Sequence, residues 1–364
     1  MIPYILLLIT IVFLRWLFIG GATVKRKGYL LFLKSSLFML FCFSSLRGVS
    51  MGADYGEYIN EFTKIGLTGQ GYMEEGYVLL NRIIYAISSS HVALAVGVNL
   101  LFFLPFYFFL KKTVKKENWF FCVFVFSANP YMYIQTTFNA MRQCCATGII
   151  LIAATVIYST SLLKFKKFLF STLLVLLAAQ FHKISYIFLL FPLFMVLKFK
   201  KKTWYIISTM FLLMSFLKFS ALLDLVANSL GFGKYVNYEA SFLNNPIYVV
   251  FVYAVILLLI KYSERMKDNT SVNVYLFSLS FLLFAVTNDM VYRVYMMLSL
   301  VALPGLANIL HSDKEILGAV EVKHNYAWLR SGYIMYYLAF YVGYIMYLAI
   351  KNNSHYIPFN FYFQ

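Results

Sequence analysis

The chain has 364 residues, 62% hydrophobic, 20% aromatic and only 12% charged, with a mean hydropathy of +0.76. A soluble domain averages roughly half apolar and about a quarter charged residues, so the composition excludes a water-soluble globular protein and leaves an all-α polytopic membrane protein. The formal charge of +17 does not indicate nucleic acid, because the basic residues stand in short clusters between apolar runs, as in cytoplasmic loops.

Taken in order, hydropathy predicts about twelve apolar segments of spanning or near-spanning length. They lie at 2–21, 29–46, 91–110, 119–136, 141–163, 168–181, 184–197, 203–222, 247–261, 271–287, 292–310 and 328–349. The first is long enough to cross a bilayer and has no basic flank, so it reads as a span rather than a cleavable signal. Basic loops recur around Lys25–Lys27, Lys111–Lys116, Lys164–Lys167, Lys198–Lys202 and Lys261–Lys267 and alternate with loops poor in basic residues. Twelve spans with both ends outside give that alternation. The whole of 1–364 then forms one transmembrane domain with two larger extracytoplasmic loops, 47–90 and 224–246. The short stretches 139–143, 182–183 and 288–293 fall on the same outer face.

The first outer loop is where polar residues concentrate. Asp54, Glu57, Glu61, Glu74 and Glu75 lie within 22 residues, bracketed by Arg47 and Arg82. Tyr55, Tyr58, Ile59 and Phe62 fall at helical spacing opposite Glu57, Glu61 and Lys64, which predicts a short amphipathic helix over 55–64 at the membrane surface. After the glycine-rich turn at 66–71, a second helix is expected over 76–88, with Glu75 and Arg82 two turns apart on roughly one face. Four of the eight arginines, Arg47, Arg82, Arg142 and Arg293, sit on the outer side. Their planar fork suits phosphate and carboxylate better than lysine's point charge does, although pairing with outer-face acids accounts for them as well.

Segments 168–181 and 184–197 are expected to be helices of about 21 Å each, short against a hydrocarbon core of about 30 Å. The tip between them, His182-Lys183, would then be recessed and would need a water-filled cavity or a partner. Cys42, Cys122, Cys144 and Cys145 lack metal-ligand spacing and read as packing residues. The chain has no P-loop, dinucleotide fingerprint, HExxH or GxSxG motif.

The run Arg47-Gly48-Val49-Ser50-Met51-Gly52-Ala53-Asp54-Tyr55-Gly56-Glu57-Tyr58 resembles the R-x(4)-G-x-D-x(3)-Y signature of EpsG-family, Wzy-like polysaccharide polymerases. Glu74-Glu75-Gly76-Tyr77 is similar to that family's acidic-Gly-Tyr element. Asn139-Ala140-Met141-Arg142-Gln143 resembles its R-Q helix start, and Phe181-His182-Lys183, with Ser185, its hairpin. The resemblance implies a GT-C-like helical fold and a glycosyltransferase on the outer face of the bacterial cytoplasmic membrane. It implies that polyprenyl-diphosphate-linked oligosaccharide units, as donor and acceptor, are joined block by block without a metal or other cofactor. The product would be exopolysaccharide, capsule or O-antigen. Membrane lipid, a chain-length regulator and a flippase are the partners it implies; nucleic acid is not one.

Such a reaction must bind the diphosphate and stabilise its departing charge, a task for arginines in a low-dielectric site. It must also stabilise an oxocarbenium-like carbon and accept a proton from the acceptor hydroxyl. Arg142 and Arg47, supported by Arg293 and Lys183, are the candidates for diphosphate. Asp54, Glu75 and His182 are the candidate bases. Asp54 could equally be the N-cap of the 55–64 helix, Glu75 could pair with Arg82, and Asp289 with Arg293. Tyr55, Tyr58, Tyr77, Arg82, Gln143 and Asp289 are the candidates for sugar contacts, with an interfacial aromatic belt as the other account of the tyrosines. A flippase or transporter of the same lipid-linked sugar, and a membrane acyltransferase acting on polysaccharide, are the rival functions.

Overall fold

The computed structural model describes residues 2–20, 26–159, 161–196, 199–216, 246–263, 270–285, 289–310, 323–350, 355–356 and 359–363. Their regular structure is helical, with one isolated two-residue β-bridge and no strand among them. Among the described residues six helices are long and apolar enough to cross a membrane: Ile2–Ile19, Arg26–Ser45, His91–Thr113, Met141–Tyr158, Val291–Ile309 and Arg330–Ile350. The second outer loop expected at 224–246 lies outside the described residues, except for Pro246.

The described residues form two compact units, one of 1–189 with 310–364 and one of 190–309. The first unit holds α1 (Ile2–Ile19), α2 (Arg26–Ser45), α3 (Tyr55–Thr68), α4 (Glu75–Ile87), α5 (His91–Thr113), α6 (Trp119–Ala128), α7 (Met141–Tyr158) and α8 (Lys164–Ala179). Its centre is α7, of whose 18 residues 13 are buried, polar Gln143 and Thr147 among them. By contrast α1 buries only Tyr4, Leu7, Leu8 and Ile11, a narrow stripe that leaves an apolar face outward, as a peripheral span requires. Buried Asn99 of α5 ties α2, α5 and α7 together, donating to Ser45 Oγ at 3.2 Å and accepting from Cys144 Sγ at 3.9 Å. All four cysteines are free, and three of them are fully buried.

The expected span 119–136 is broken. Asn129 ends α6, Pro130 has no N–H to continue it, and the chain widens into a π-helix over Tyr131–Asn139. Asn129 Oδ1 accepts from Tyr131 N at 3.0 Å and Met132 N at 3.2 Å, and i−5 bonds such as Ala140 N to Gln135 O at 3.0 Å carry the wide turn. The return limb of the 168–197 hairpin also departs from expectation. It is a 3₁₀ run, Lys183–Leu190, followed by the single turn α9 (Leu193–Val196), because Pro192 withholds a donor and disfavours helical geometry at Phe191.

The second unit contains α9, α10 (Lys201–Phe216), α11 (Pro246–Ser263), α12 (Thr270–Ala285) and α13 (Asp289–Ile309). Polar clips join its helices: Trp204 Nε1 donates to Asn273 Oδ1 at 3.2 Å, and Asn308 Nδ2 to Ser271 Oγ at 3.0 Å. Between them Phe211 packs edge-on to Phe281, with ring centroids 5.6 Å apart. The last helix, α14 (Lys323–Ile350), belongs to the first unit, where Tyr341 donates to Tyr4 O at 3.0 Å and Gln135 to the Tyr344 hydroxyl at 3.1 Å.

Candidate functional site

Both expected outer-loop helices form. In α3 the buried residues are Tyr55, Tyr58, Glu61, Phe62 and Ile65, one face at helical spacing. Glu61, expected on the polar face, is covered because the loop after Gly69 folds back: Tyr72 N donates to Glu61 Oε1 at 3.1 Å, and Lys64 Nζ stands 3.8 Å from Oε2. Helix α4 buries Tyr77, Val78, Asn81 and Ile84.

The segment from Arg47 to Tyr58 folds around the junction between the π-helix and α7. Arg47 is completely buried. Its guanidinium donates to Ser44 O and, at 3.3 Å, to Phe138 O, and lies 3.9 Å from the centre of the Tyr55 ring. Gly52 adopts φ +109, and a Cβ there would stand 2.7 Å from Phe138 O, so both its conformation and its packing require glycine. Asp54 precedes α3 without a side-chain cap bond, and its N–H reaches Asn139 Oδ1 at 3.3 Å. Arg142 Nε donates to the Tyr58 hydroxyl oxygen at 3.5 Å.

The C-terminal stretch closes over the same loop. Gly48 N donates to Asn360 O at 2.7 Å, Tyr362 N to Leu46 O at 3.0 Å and Gly52 N to His355 O at 2.8 Å.

At Arg142 three remote stretches converge. Arg142 Nη1 donates to Glu74 Oε2 at 2.8 Å, His182 Nδ1 lies 3.6 Å from Glu74 Oε1, and Lys183 N donates to that same oxygen at 3.4 Å. The side chains of Glu74 and His182 are each about 10% exposed, and that of Arg142 20%. Tyr77 packs edge-on to Tyr58 with centroids 5.9 Å apart. His182, expected to be recessed, therefore has a partner, and it is a carboxylate.

What holds Glu74 there is Gly76. Its N–H donates to Gln180 O at 2.9 Å, and a Cβ would stand 2.8 Å from that oxygen and 2.9 Å from Gln180 Cβ. Backbone leaves no room to yield. In Gly76→Ala we expect α4 to lift from the hairpin at a cost of roughly 1–3 kcal/mol, with thermal unfolding of the purified protein occurring at lower temperature.

Burial pushes the Glu74 carboxyl up, but the His182 imidazole 3.6 Å away and the hydrogen-bonded Arg142 charge outweigh it and bring its pKa to about 2 from 4.5. A depressed folded-state pKa stabilises the fold above the unfolded value, and that stabilisation is lost as pH falls through the folded one. Between pH 5 and pH 2 the wild type should thus lose on the order of 3 kcal/mol from this group. Thermal unfolding of wild type and Glu74→Gln across that window should show the two converging as the pH drops.

The other expected residues are placed as follows. Arg142, Tyr58, Tyr77 and His182 meet in this cluster. Lys183 joins it through its backbone and leaves an exposed side chain. Arg47 and Tyr55 pack against each other, with the Tyr55 hydroxyl donating to His91 O at 3.0 Å. Gln143 is buried in α7. Glu75 is exposed on the first turn of α4, and Arg82 donates to Gly69 O rather than pairing with it. Arg293 is half-buried on α13 in the second unit, and the side chain of Asp289 lies outside the described residues. Among the described residues no group of three or more His, Cys, Asp or Glu side chains could hold a metal ion. Sequence reasoning missed Glu74; the available signal was Gly76, which fixes how the preceding residues face the hairpin.

No curated protein and no solved structure matches the chain. A family model described as the EpsG family matches residues 30–361, a span that takes in every stretch converging on Arg142, and the chain belongs to the EpsG family.

Proposed function

We propose that the protein is a membrane glycosyltransferase that polymerises polyprenyl-diphosphate-linked oligosaccharide repeat units on the outer face of the bacterial cytoplasmic membrane. Membership of the EpsG family supports a polysaccharide polymerase role in general, and the apolar helices support a membrane location. The observation that carries the finer reading is the convergence of Tyr58, Glu74, Arg142 and His182 from four separate stretches of a chain only 12% charged. An arginine, a carboxylate and a histidine gathered in a largely buried place are costly unless used.

In this reading the Arg142 guanidinium meets the donor diphosphate through the N–H groups that Glu74 does not occupy. It stabilises the negative charge that grows as the sugar–phosphate bond breaks. Diphosphate leaves readily, so no general acid is required. Tyr58 and Tyr77, both buried and packed on each other, hold the site in place from below. The chemistry proceeds without a metal.

The test is reconstitution of purified protein in liposomes with a lipid-diphosphate-linked repeat unit. A ladder of longer products that persists in the presence of a chelator is the expected result. Lipid crossing the vesicle wall without lengthening would replace this reading with that of a flippase.

A further inference from the structure

We propose that Glu74 is a positioning carboxylate that orients His182, so that the imidazole receives the proton of the attacking acceptor hydroxyl. The inference rests on the glycosyltransferase reading above. It assigns the proton-handling role to a Glu74–His182 pair rather than to the neighbouring Asp54 or Glu75.

The geometry favours this pair in three ways. First, Glu74 is held at both oxygens. Oε2 is fixed by Arg142 Nη1 at 2.8 Å, while Oε1 takes Lys183 N at 3.4 Å and faces His182 Nδ1 at 3.6 Å. A carboxylate fixed beside Nδ1 favours the tautomer with the proton on that nitrogen, which makes Nε2 the basic one; both nitrogens are buried, so the bound acceptor must open the site to reach Nε2. Second, the hairpin holds His182 rigidly, because its N–H bonds Ala178 O at 3.0 Å and its carbonyl accepts from Ser185 N at 2.9 Å. Third, Arg142 binds the same carboxylate. One group therefore fixes both the guanidinium offered to the leaving diphosphate and the imidazole offered to the nucleophile. Glu75 is exposed, and the Asp54 N–H lies at the π-helix junction, bonded to Asn139.

The acceptor hydroxyl oxygen forms a bond to the anomeric carbon, and the bond from that carbon to the diphosphate oxygen breaks. The electron pair leaves with the lipid diphosphate. The hydroxyl proton passes to His182 Nε2 and then to water. The imidazolium formed in between is stabilised by the Glu74 carboxylate, as in hydrolase triads where an acid supports a histidine without taking its proton.

The experiment is the pH dependence of elongation by the reconstituted full chain. Glu74, on the loop before α4, faces His182; Arg142 on α7 binds that same carboxylate, the Tyr58 hydroxyl lies next to Arg142, and Lys183 follows His182 with an exposed side chain. A base must be neutral to work, so activity rises with pH through the imidazole pKa. Removing the Glu74 charge lowers that pKa. Glu74→Gln should therefore shift the acid limb of the profile to lower pH and reduce kcat by at least tenfold, with KM within about threefold. Glu74→Asp, which keeps the charge on a shorter arm, should recover part of kcat and leave the limb nearer its wild-type position. His182→Gln should remove the limb.

An acid limb that stays in place in Glu74→Gln while kcat falls would make Glu74 a packing residue and overturn the proposal. Survival of the limb in His182→Gln would overturn it as well, and that arm decides the matter if Glu74→Gln does not accumulate. A wild type that lengthens nothing would instead overturn the glycosyltransferase reading itself.

Discussion

Arg142→Ala is expected to lower elongation by a hundredfold or more while the protein still reaches the membrane folded. The catalytic loss follows from removing a preorganised charge aimed at a leaving group, which typically costs 10²–10³ in rate. The structural loss is smaller. Arg142 is partly exposed, and Glu74 keeps His182 and Lys183 N as partners when the guanidinium is gone. Arg142→Lys should restore little, because an ammonium on a flexible stem cannot hold Glu74 and a diphosphate with one planar fork. Elongation rates, read beside the amount of monodisperse detergent-purified protein, separate the two effects. Full activity in Arg142→Lys would remove the argument from the fork.

Arg47→Ala is expected to fail differently, by failing to fold. Arg47 carries a buried charge with no carboxylate beside it among the described residues; its compensation comes from the Ser44 and Phe138 carbonyls and from the Tyr55 ring at 3.9 Å. Charge-assisted bonds contribute about 1.5–3 kcal/mol each and a desolvated cation–π contact about 2 kcal/mol. Truncation also leaves a cavity and an uncapped end of the π-helix. A loss of roughly 3–5 kcal/mol is a large share of the stability of an ordinary domain. Arg47→Ala should therefore yield little folded protein, and Arg47→Lys an intermediate amount, since a single ammonium can satisfy one carbonyl but cannot stack its plane on Tyr55. The readout is the ratio of folded to aggregated protein after extraction. Well-folded, inactive Arg47→Ala would instead return Arg47 to the diphosphate.

These two arginines show where the sequence was informative. Both were candidates for diphosphate on equal terms, because residue type and outer-loop position are the same. Only the surroundings separate them: Arg47 points into carbonyls of its own fold, whereas Arg142 meets Tyr58 and Glu74 at a partly open place. The α3 helix was legible from the spacing of Tyr55, Tyr58 and Phe62. Glu74 was not, because two adjacent acids before a glycine look alike until the packing of Gly76 on Gln180 decides which of them faces the hairpin. The breaks at Pro130 and Pro192 carried a local signal, a missing donor, that apolarity masked. Hydropathy reports whether a segment is oily and says nothing of whether its backbone continues as an α-helix. Contacts such as Gly48 N to Asn360 O join residues more than 300 positions apart, and no local pattern encodes them.

The central claim is that Arg142 grips a lipid-borne diphosphate. Native mass spectrometry of the purified protein with polyprenyl diphosphate measures this most directly. The wild type should retain the lipid as a one-to-one adduct, and Arg142→Ala should retain at least tenfold less at the same lipid concentration. Equal retention by the two proteins would contradict the claim.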